Sequence, residues 1–259
     1  MRRAVVAFFA ALACTASTAA AAPMWNERVV ARFPHDTSAF TEGLVFRHGL
    51  LYEGTGLEGA SRLRVLRLSS GEVLRERRLA PTLFGEGVAL WRDRIIQLTW
   101  KSERGFVWNR RTLAPRRQFT YRGEGWGLTN DRTRLVMSNG TDELSFLDPD
   151  TLRRTGMLRV SDDGRPVRGL NELEMVGHLL YANVWPSSRI AVIDPRSGHV
   201  RGWLDLSDLP DAESRRGADV LNGIAWDARR KRLLITGKLW PTIYQIEVRD
   251  GRGRSILPG

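Results

Sequence analysis

Five times along this chain a short polar patch beside a small apolar residue is followed, about ten residues later, by a strongly apolar segment. The patches are Thr41-Glu42-Gly43-Leu44, Gly85-Glu86-Gly87-Val88, Gly125-Trp126-Gly127-Leu128, Asn171-Glu172-Leu173-Glu174 and Leu221-Asn222-Gly223-Ile224. The apolar segments are 50–54, 95–100, 135–138, 180–185 and 233–238. A period of roughly 40 to 50 residues with several short strands in each repeat is the sequence mark of propeller blades. The chain is therefore expected to be all-β, a five-bladed β-propeller with four antiparallel strands per blade.

Turn chemistry supports that count. Leu63-Arg64-Val65-Leu66-Arg67-Leu68 runs into Ser69-Ser70-Gly71-Glu72, Leu144-Ser145-Phe146-Leu147 into Asp148-Pro149-Asp150-Thr151, and Ile190-Ala191-Val192-Ile193 into Asp194-Pro195-Arg196-Ser197-Gly198. Asp-Pro or Ser-Gly between alternating flanks reads as a hairpin. The last repeat stops early, at Ile243-Tyr244-Gln245-Ile246-Glu247-Val248, while residues 27–33 precede the first repeat without a partner. The N-terminal strand is expected to complete the fifth blade and close the ring, which removes a frayed edge.

Arg2-Arg3, an apolar run from Ala4 to Cys14 and the small residues Ala19 to Ala22 read as a secretory signal over 1–22, leaving one propeller domain over 23–259. The apolar run is too short for a transmembrane anchor. Cys14 is the sole cysteine and lies inside the signal, so the mature chain has no disulfide; lipid attachment through Cys14 is the alternative fate of that segment. An exported protein without disulfides is expected in a bacterial periplasm or secreted beyond it, as a monomer.

The formal charge is +11, and only Lys101, Lys231 and Lys238 among the cations are lysines. The arginines are scattered over turns, with no stripe or fold of a nucleic-acid reader, so no nucleic-acid partner is expected. Such a charge still draws the protein toward acidic polymers or anionic membrane surfaces.

In a propeller, equivalent positions of the repeats meet at one mouth. The converging set is Phe40, Glu42, Phe84, Glu86, Trp126, Asn171, Glu172, Glu174 and Asn222, with the strand-end residues Trp100, Trp185 and Lys238. Aromatic walls, a few carboxylates and amides and one ammonium fit a pocket for an amino-terminal peptide group. His35, His48, His178 and His199 lack metal-ligand spacing, and neither a Gly-x-Ser-x-Gly elbow nor a phosphate-cradling glycine loop occurs. No cofactor is expected to be required; a structural calcium on the axial carboxylates is the one metal considered.

These same segments carry a resemblance. Phe40-Thr41-Glu42-Gly43-Leu44, Tyr52-Glu53-Gly54-Thr55-Gly56, Phe84-Gly85-Glu86-Gly87, Gln97-Leu98-Thr99-Trp100, Gly123-Glu124-Gly125-Trp126-Gly127-Leu128, Leu170-Asn171-Glu172-Leu173-Glu174, Tyr181-Ala182-Asn183-Val184-Trp185 and Thr236-Gly237-Lys238-Leu239-Trp240-Pro241 together resemble the plant-type glutaminyl-peptide cyclotransferases, also found in bacteria. The likeness runs from about Val29 to Val248 in order and spacing. It implies an enzyme that converts the N-terminal glutamine of peptides or proteins to pyroglutamate with loss of ammonia.

By motif position the resemblance puts the acidic catalytic residue on Glu86 and the pocket on Phe40, Phe84, Trp100, Trp126, Asn171, Trp185 and Lys238. The position held here by Glu42 varies in the family between Gln and Glu, so a neutral hydrogen bonder and a second carboxylate both stay open for it. The reaction needs a proton taken from the substrate amine and returned to the departing amide nitrogen, and one carboxylate does both. Lys238 or the Asn171 amide would donate to the carbonyl oxygen as it turns negative. The aromatic residues would hold the glutamine folded toward its ring. Two other readings of a propeller are a non-catalytic ring that presents loops to a partner protein and a metal-dependent hydrolase of lactones or sugars.

Overall fold

Side chains next to each other on a strand point to opposite faces of its sheet, yet in segments such as Leu233-Leu234-Ile235 both sets are apolar. A sheet built from such strands must bury both faces. The computed structural model describes residues 21–210 and 216–258, and these are all-β, with no helix among them. Residues 1–20 of the expected signal, Cys14 included, lie outside the described residues.

The first strand is β1 (Met24–Pro34). A first antiparallel sheet follows as β2 (Thr41–Arg47), β3 (Leu50–Thr55), β4 (Arg62–Arg67) and β5 (Val73–Arg78). The second is β6 (Gly85–Trp91), β7 (Arg94–Thr99), β8 (Arg104–Asn109) and β9 (Pro115–Thr120). The third is β10 (Leu128–Asn130), β11 (Leu135–Met137), β12 (Glu143–Leu147) and β13 (Arg154–Arg159). A small hairpin that the sequence reading missed, β14 (Ser161–Asp162) with β15 (Arg165–Pro166), comes next. The fourth sheet is β16 (Leu170–Val176), β17 (Leu179–Val184), β18 (Arg189–Ile193) and β19 (Val200–Asp205).

Only three strands remain for the fifth sheet: β20 (Leu221–Asp227), β21 (Arg232–Gly237) and β22 (Thr242–Arg249). β1 supplies the fourth, running antiparallel to β22 from Asn26 to Pro34. At Met24 and Trp25 it also pairs in parallel with β19, so one strand laces the fourth sheet to the fifth. Beyond β1, buried His35 binds the Trp240 carbonyl oxygen through Nδ1 (2.8 Å) and Glu53 through Nε2 (2.9 Å), tying the fifth sheet to the first.

The apolar core is divided among the junctions between sheets. Tyr52, Val65 and Val88 belong to the cluster between the first and second sheets, and Leu98, Val107 and Leu128 to that between the second and third. Phe146 and Leu180 join the third to the fourth, and Tyr181 and Tyr244 the fourth to the fifth. Leu44, Leu51 and Leu234 join the fifth back to the first. The alternation along β21 follows from this: Leu234 faces one neighbour while Leu233 and Ile235 face the other. The first strands accordingly touch in cyclic order, β2 to β6, β10, β16, β20 and back to β2.

Candidate active site

At the entry of four of the five sheets the pairing of first and second strands skips residues at the same place. The skips fall between Thr41 and Gly43, Gly85 and Val88, Leu170 and Leu173, and Leu221 and Ile224. A bulge takes a residue out of the ladder and re-aims its side chain, and the residues so placed are Glu42, Glu86, Asn171 and Asn222. In the third sheet the equivalent residue, Trp126, stands just ahead of β10.

The glycine that follows four of these five positions has a steric cause. A Cβ on Gly87 would stand 2.5 Å from the Leu128 nitrogen, and one on Gly127 would collide with the Asn171 carbonyl oxygen. First strands of adjacent sheets therefore approach more closely than any side chain permits.

The fourth sheet breaks the pattern, with Glu172 at the glycine position. Its buried carboxylate crosses between sheets, accepting from the Leu44 amide (3.2 Å) and the Ile224 amide (2.9 Å). Glu174 likewise accepts from the Trp226 amide (2.9 Å) and Thr129 Oγ1 (3.3 Å). Both residues were expected in the same converging set as Glu86, and that expectation is corrected: they brace first strands to each other, and Glu174 lines a cavity at the far ends of those strands. Among the described residues no group of three or more His, Cys, Asp or Glu side chains is placed to hold a metal ion.

The other expected residues form a continuous arc. Lys238 Nζ lies 4.5 Å from the centre of the Phe40 ring, Phe40 meets Phe84 edge-on at 6.1 Å, and Phe84 meets Trp100 at 5.5 Å. Trp100 and Trp126 do not touch through their rings but share a carboxylate. Oε2 of Glu124 accepts both indole N–H groups, at 2.7 and 2.9 Å. Trp126 then meets Trp185 edge-on at 5.8 Å. Trp185 is the outermost member, 47% exposed.

Glu124 is the residue that sequence reasoning missed. It sits two positions before Trp126, inside a motif already singled out, but nothing in its spacing shows that it faces an indole 24 residues away. One oxygen that accepts both indole N–H groups at short range fixes the angle of both rings.

Beneath the half-exposed aromatics lies a buried polar floor. Lys238 Nζ donates to Glu42 Oε1 at 2.7 Å, and Asn222 Nδ2 donates to Glu42 Oε2 at 3.0 Å. Burial pushes the Glu42 carboxyl up to about 7, against the opposing pull of Lys238. Burial also raises Glu86 well above the usual carboxylate range, with further push from Glu42 and Glu124 and a counter-pull from Lys238. Glu86 Oε2 and Asn171 Oδ1 are buried without a hydrogen-bond partner. Such atoms are costly to leave unmade, and both belong to residues placed at the strand entries beside the aromatic arc.

A broad cavity of about 930 Å³ lies elsewhere, around Arg47, Arg132 and Glu174, and includes none of the aromatic arc.

The brace residues carry a testable consequence. Burial pushes Glu174 up to about 8. A carboxyl raised in the folded state stabilises the fold below its unfolded value near 4.5, and the benefit is lost as pH rises through about 8. Glu174→Gln keeps an acceptor for the Trp226 amide and carries no charge. Its melting temperature should match the parent near pH 5 and exceed it by several degrees near pH 9, since a shift of this size is worth a few kcal/mol. Parallel melting curves across that range would show that Glu174 is ionised throughout.

The comparisons with known proteins fit this geometry. The family model described as "Glutamine cyclotransferase" matches residues 3–248. A relative named "Glutaminyl-peptide cyclotransferase", from Arabidopsis thaliana, is 43% identical over 232 residues, which cover 88% of this chain and 72% of that protein. The crystal structure of Myxococcus xanthus glutaminyl cyclase superposes with a TM-score of 0.81 at 37% identity, over 88% of this chain and 98% of the other. With the match spanning nearly all of the chain, sheets and aromatic arc together, this protein belongs to the glutamine cyclotransferase family.

Proposed function

We propose that the chain is a five-bladed β-propeller enzyme that cyclises N-terminal glutamine of peptides or proteins to pyroglutamate and releases ammonia, an aminoacyltransferase reaction within one molecule. The ring reading rests on five four-stranded sheets, apolar junctions that return from the fifth to the first, and a strand from the N-terminus in the last sheet. The activity reading rests above all on one observation: a buried, unpartnered carboxyl oxygen of Glu86, two residues after Phe84 of the aromatic arc and within electrostatic reach of Glu42, Lys238 and Glu124.

In this mechanism the uncharged α-amine attacks the δ-carbon of its own side chain. As that C–N bond forms, Glu86 takes a proton from the attacking nitrogen. It then gives the proton to the amide nitrogen, whose bond to carbon breaks, and ammonia departs. Burial favours the exchange, because a carboxylate raised toward the pKa of an amine transfers protons in both directions with little penalty. Asn171 Oδ1 lacks a donor, and a substrate N–H is what would satisfy it. Lys238, held by Glu42 and by the face of Phe40, supplies positive charge for the carbonyl oxygen as it becomes an oxyanion. Phe84, Trp100 and Trp126 pack the folded glutamine, with Trp185 at the rim. Every step uses side chains of this chain and none calls for a cofactor.

Gln-initiated peptides incubated with the purified protein should lose one ammonia each, well above the spontaneous rate, while otherwise identical peptides with an internal glutamine should not. A rate equal to the spontaneous one rejects the proposal. The Arg2-Arg3 start and its apolar run support export to a periplasm or beyond, where such N-termini are exposed after processing.

A further inference from the structure

The turns between the first and second strands gather at the mouth opposite the aromatic arc, and basic residues stand in or beside all five, arginines at four of them and a histidine in the other. Arg47 ends β2 and His48 follows it, Arg92 follows β6, Arg132 lies after β10, His178 after β16, and Arg229, Arg230 and Lys231 after β20. First strands of seven residues put this mouth roughly 20 Å from Glu86. Between the turns lies the cavity of about 930 Å³, lined by Arg47, Arg92, Arg132, Arg134, His178 and Arg196. A second depression of about 530 Å³ continues it past Phe46, Arg47 and Trp226 to Arg229 and Arg230.

The acids of this mouth are already committed. Asp93 holds Arg116 (2.5 Å), Asp131 holds Arg134 (2.7 Å), Asp150 holds Arg94 (2.5 Å) and Asp227 holds Arg232 (2.7 Å). Among the described residues the guanidinium groups of Arg47, Arg132, Arg196, Arg229 and Arg230 have no carboxylate partner. Besides Asp131, the acid lining the cavity is Glu174, which accepts from the Trp226 amide and Thr129 Oγ1 rather than from an arginine and, pushed up to about 8 by burial, is mainly uncharged at neutral pH. Elsewhere on the surface basic residues such as Arg154 and Arg189 sit beside Glu143 and Asp205. At this mouth the arginines without a carboxylate partner surround a concavity.

We propose that this arginine-lined cavity is a second, non-catalytic binding site for an anion bearing several phosphate groups. Guanidinium forks pair two N–H groups with two oxygens of one phosphate, and several forks around one concavity suit a ligand with more than one such group. A concave site also focuses the field of its charges, which strengthens attraction for multivalent anions over chloride. Two sources carry this chemistry, a soluble polyphosphate and the headgroups of an anionic phospholipid surface.

Inorganic tripolyphosphate titrated calorimetrically into the full-length protein at low salt should bind saturably. The triple variant Arg47→Gln, Arg132→Gln, Arg196→Gln should bind at least about tenfold more weakly and with a shallower dependence of affinity on salt. Its cyclisation of Gln-initiated peptides should be unchanged, because none of the three approaches the aromatic arc. Should the triple variant melt early, the single variants Arg132→Gln and Arg196→Gln carry the test, each expected to weaken binding about threefold. Co-sedimentation with phosphatidylglycerol vesicles, but not phosphatidylcholine ones, that disappears in the variant assigns lipid headgroups as the source. Tripolyphosphate binding without vesicle binding assigns a soluble anion. Absence of saturable tripolyphosphate binding, or equal affinity in parent and variants, overturns the site.

Discussion

Glu86→Gln should lower kcat for cyclisation by roughly 10²- to 10⁴-fold, the usual worth of a positioned proton shuttle, while leaving the melting temperature near that of the parent. The two halves of this expectation have one cause. Glutamine matches the shape of glutamate, and Glu86 Oε2 has no hydrogen-bond partner to lose, so the fold barely registers the change. The reaction does register it, since an amide neither accepts a proton from the attacking nitrogen nor returns one. pH separates the roles further. Burial holds Glu86 well above the usual carboxylate range, so kcat/KM of the parent should fall as pH drops through that raised value. The residual activity of the variant should lack that limb and keep only the one set by the substrate amine, near pH 8. Turnover within about threefold of the parent would move the base to another group, since loss of a shuttle costs far more. Glu42 is the nearest alternative, its carboxyl pushed up to about 7 by burial.

Removal of residues 27–33 should be the most damaging change to stability. Those residues hold most of the β1 pairing with β22, and Val29 and Phe33 pack onto the clusters at the two faces of the fifth sheet. Without them β22 becomes an open edge next to Ile243, Tyr244 and Ile246, all fully or almost fully buried. Ladder hydrogen bonds at about 1 kcal/mol each, together with the lost apolar contacts, amount to several kcal/mol. That is a large part of the 5–15 kcal/mol by which a domain is ordinarily stable. A fall in melting temperature of at least about 10 °C is expected, or a chain that does not fold. Phe33→Ala keeps the strand and removes only its contact with Leu44, Leu234 and their neighbours, and should cost about 2 kcal/mol. Parent-like melts for both variants would mean that the fifth sheet stands without its N-terminal strand.

Much of the architecture was legible because it is written in local chemistry that repeats. Alternation, hairpin turns such as Asp148-Pro149-Asp150-Thr151 and the returning Glu-Gly or Trp-Gly patches all act over a few residues, and their recurrence gives the number of sheets. The unpartnered strand before the first repeat, set against a last repeat one strand short, implied where β1 belongs. The candidate pocket was legible for the same reason: equivalent positions in a cyclic repeat meet, whatever stands in them.

What stands in them, and what it does there, was decided elsewhere. Glu42, Glu86 and Glu172 look alike along the chain, yet one is paired with a lysine, one is left without a partner at Oε2, and one accepts backbone amides of two other sheets. Glu124 became a clamp only because its sheet and the next bring two indoles to one oxygen. By itself the sequence determined the strands of the five large sheets, their number per sheet and the order in which the sheets follow, since these depend on neighbours along the chain; the short β14–β15 hairpin did not show in it. Tertiary structure alone decided which carboxyl groups burial pushes up, which are shared and which keep an unpartnered oxygen, because charge and hydrogen bonding are settled by atoms within a few ångströms, and here those atoms come from segments as far apart as Glu42 and Lys238.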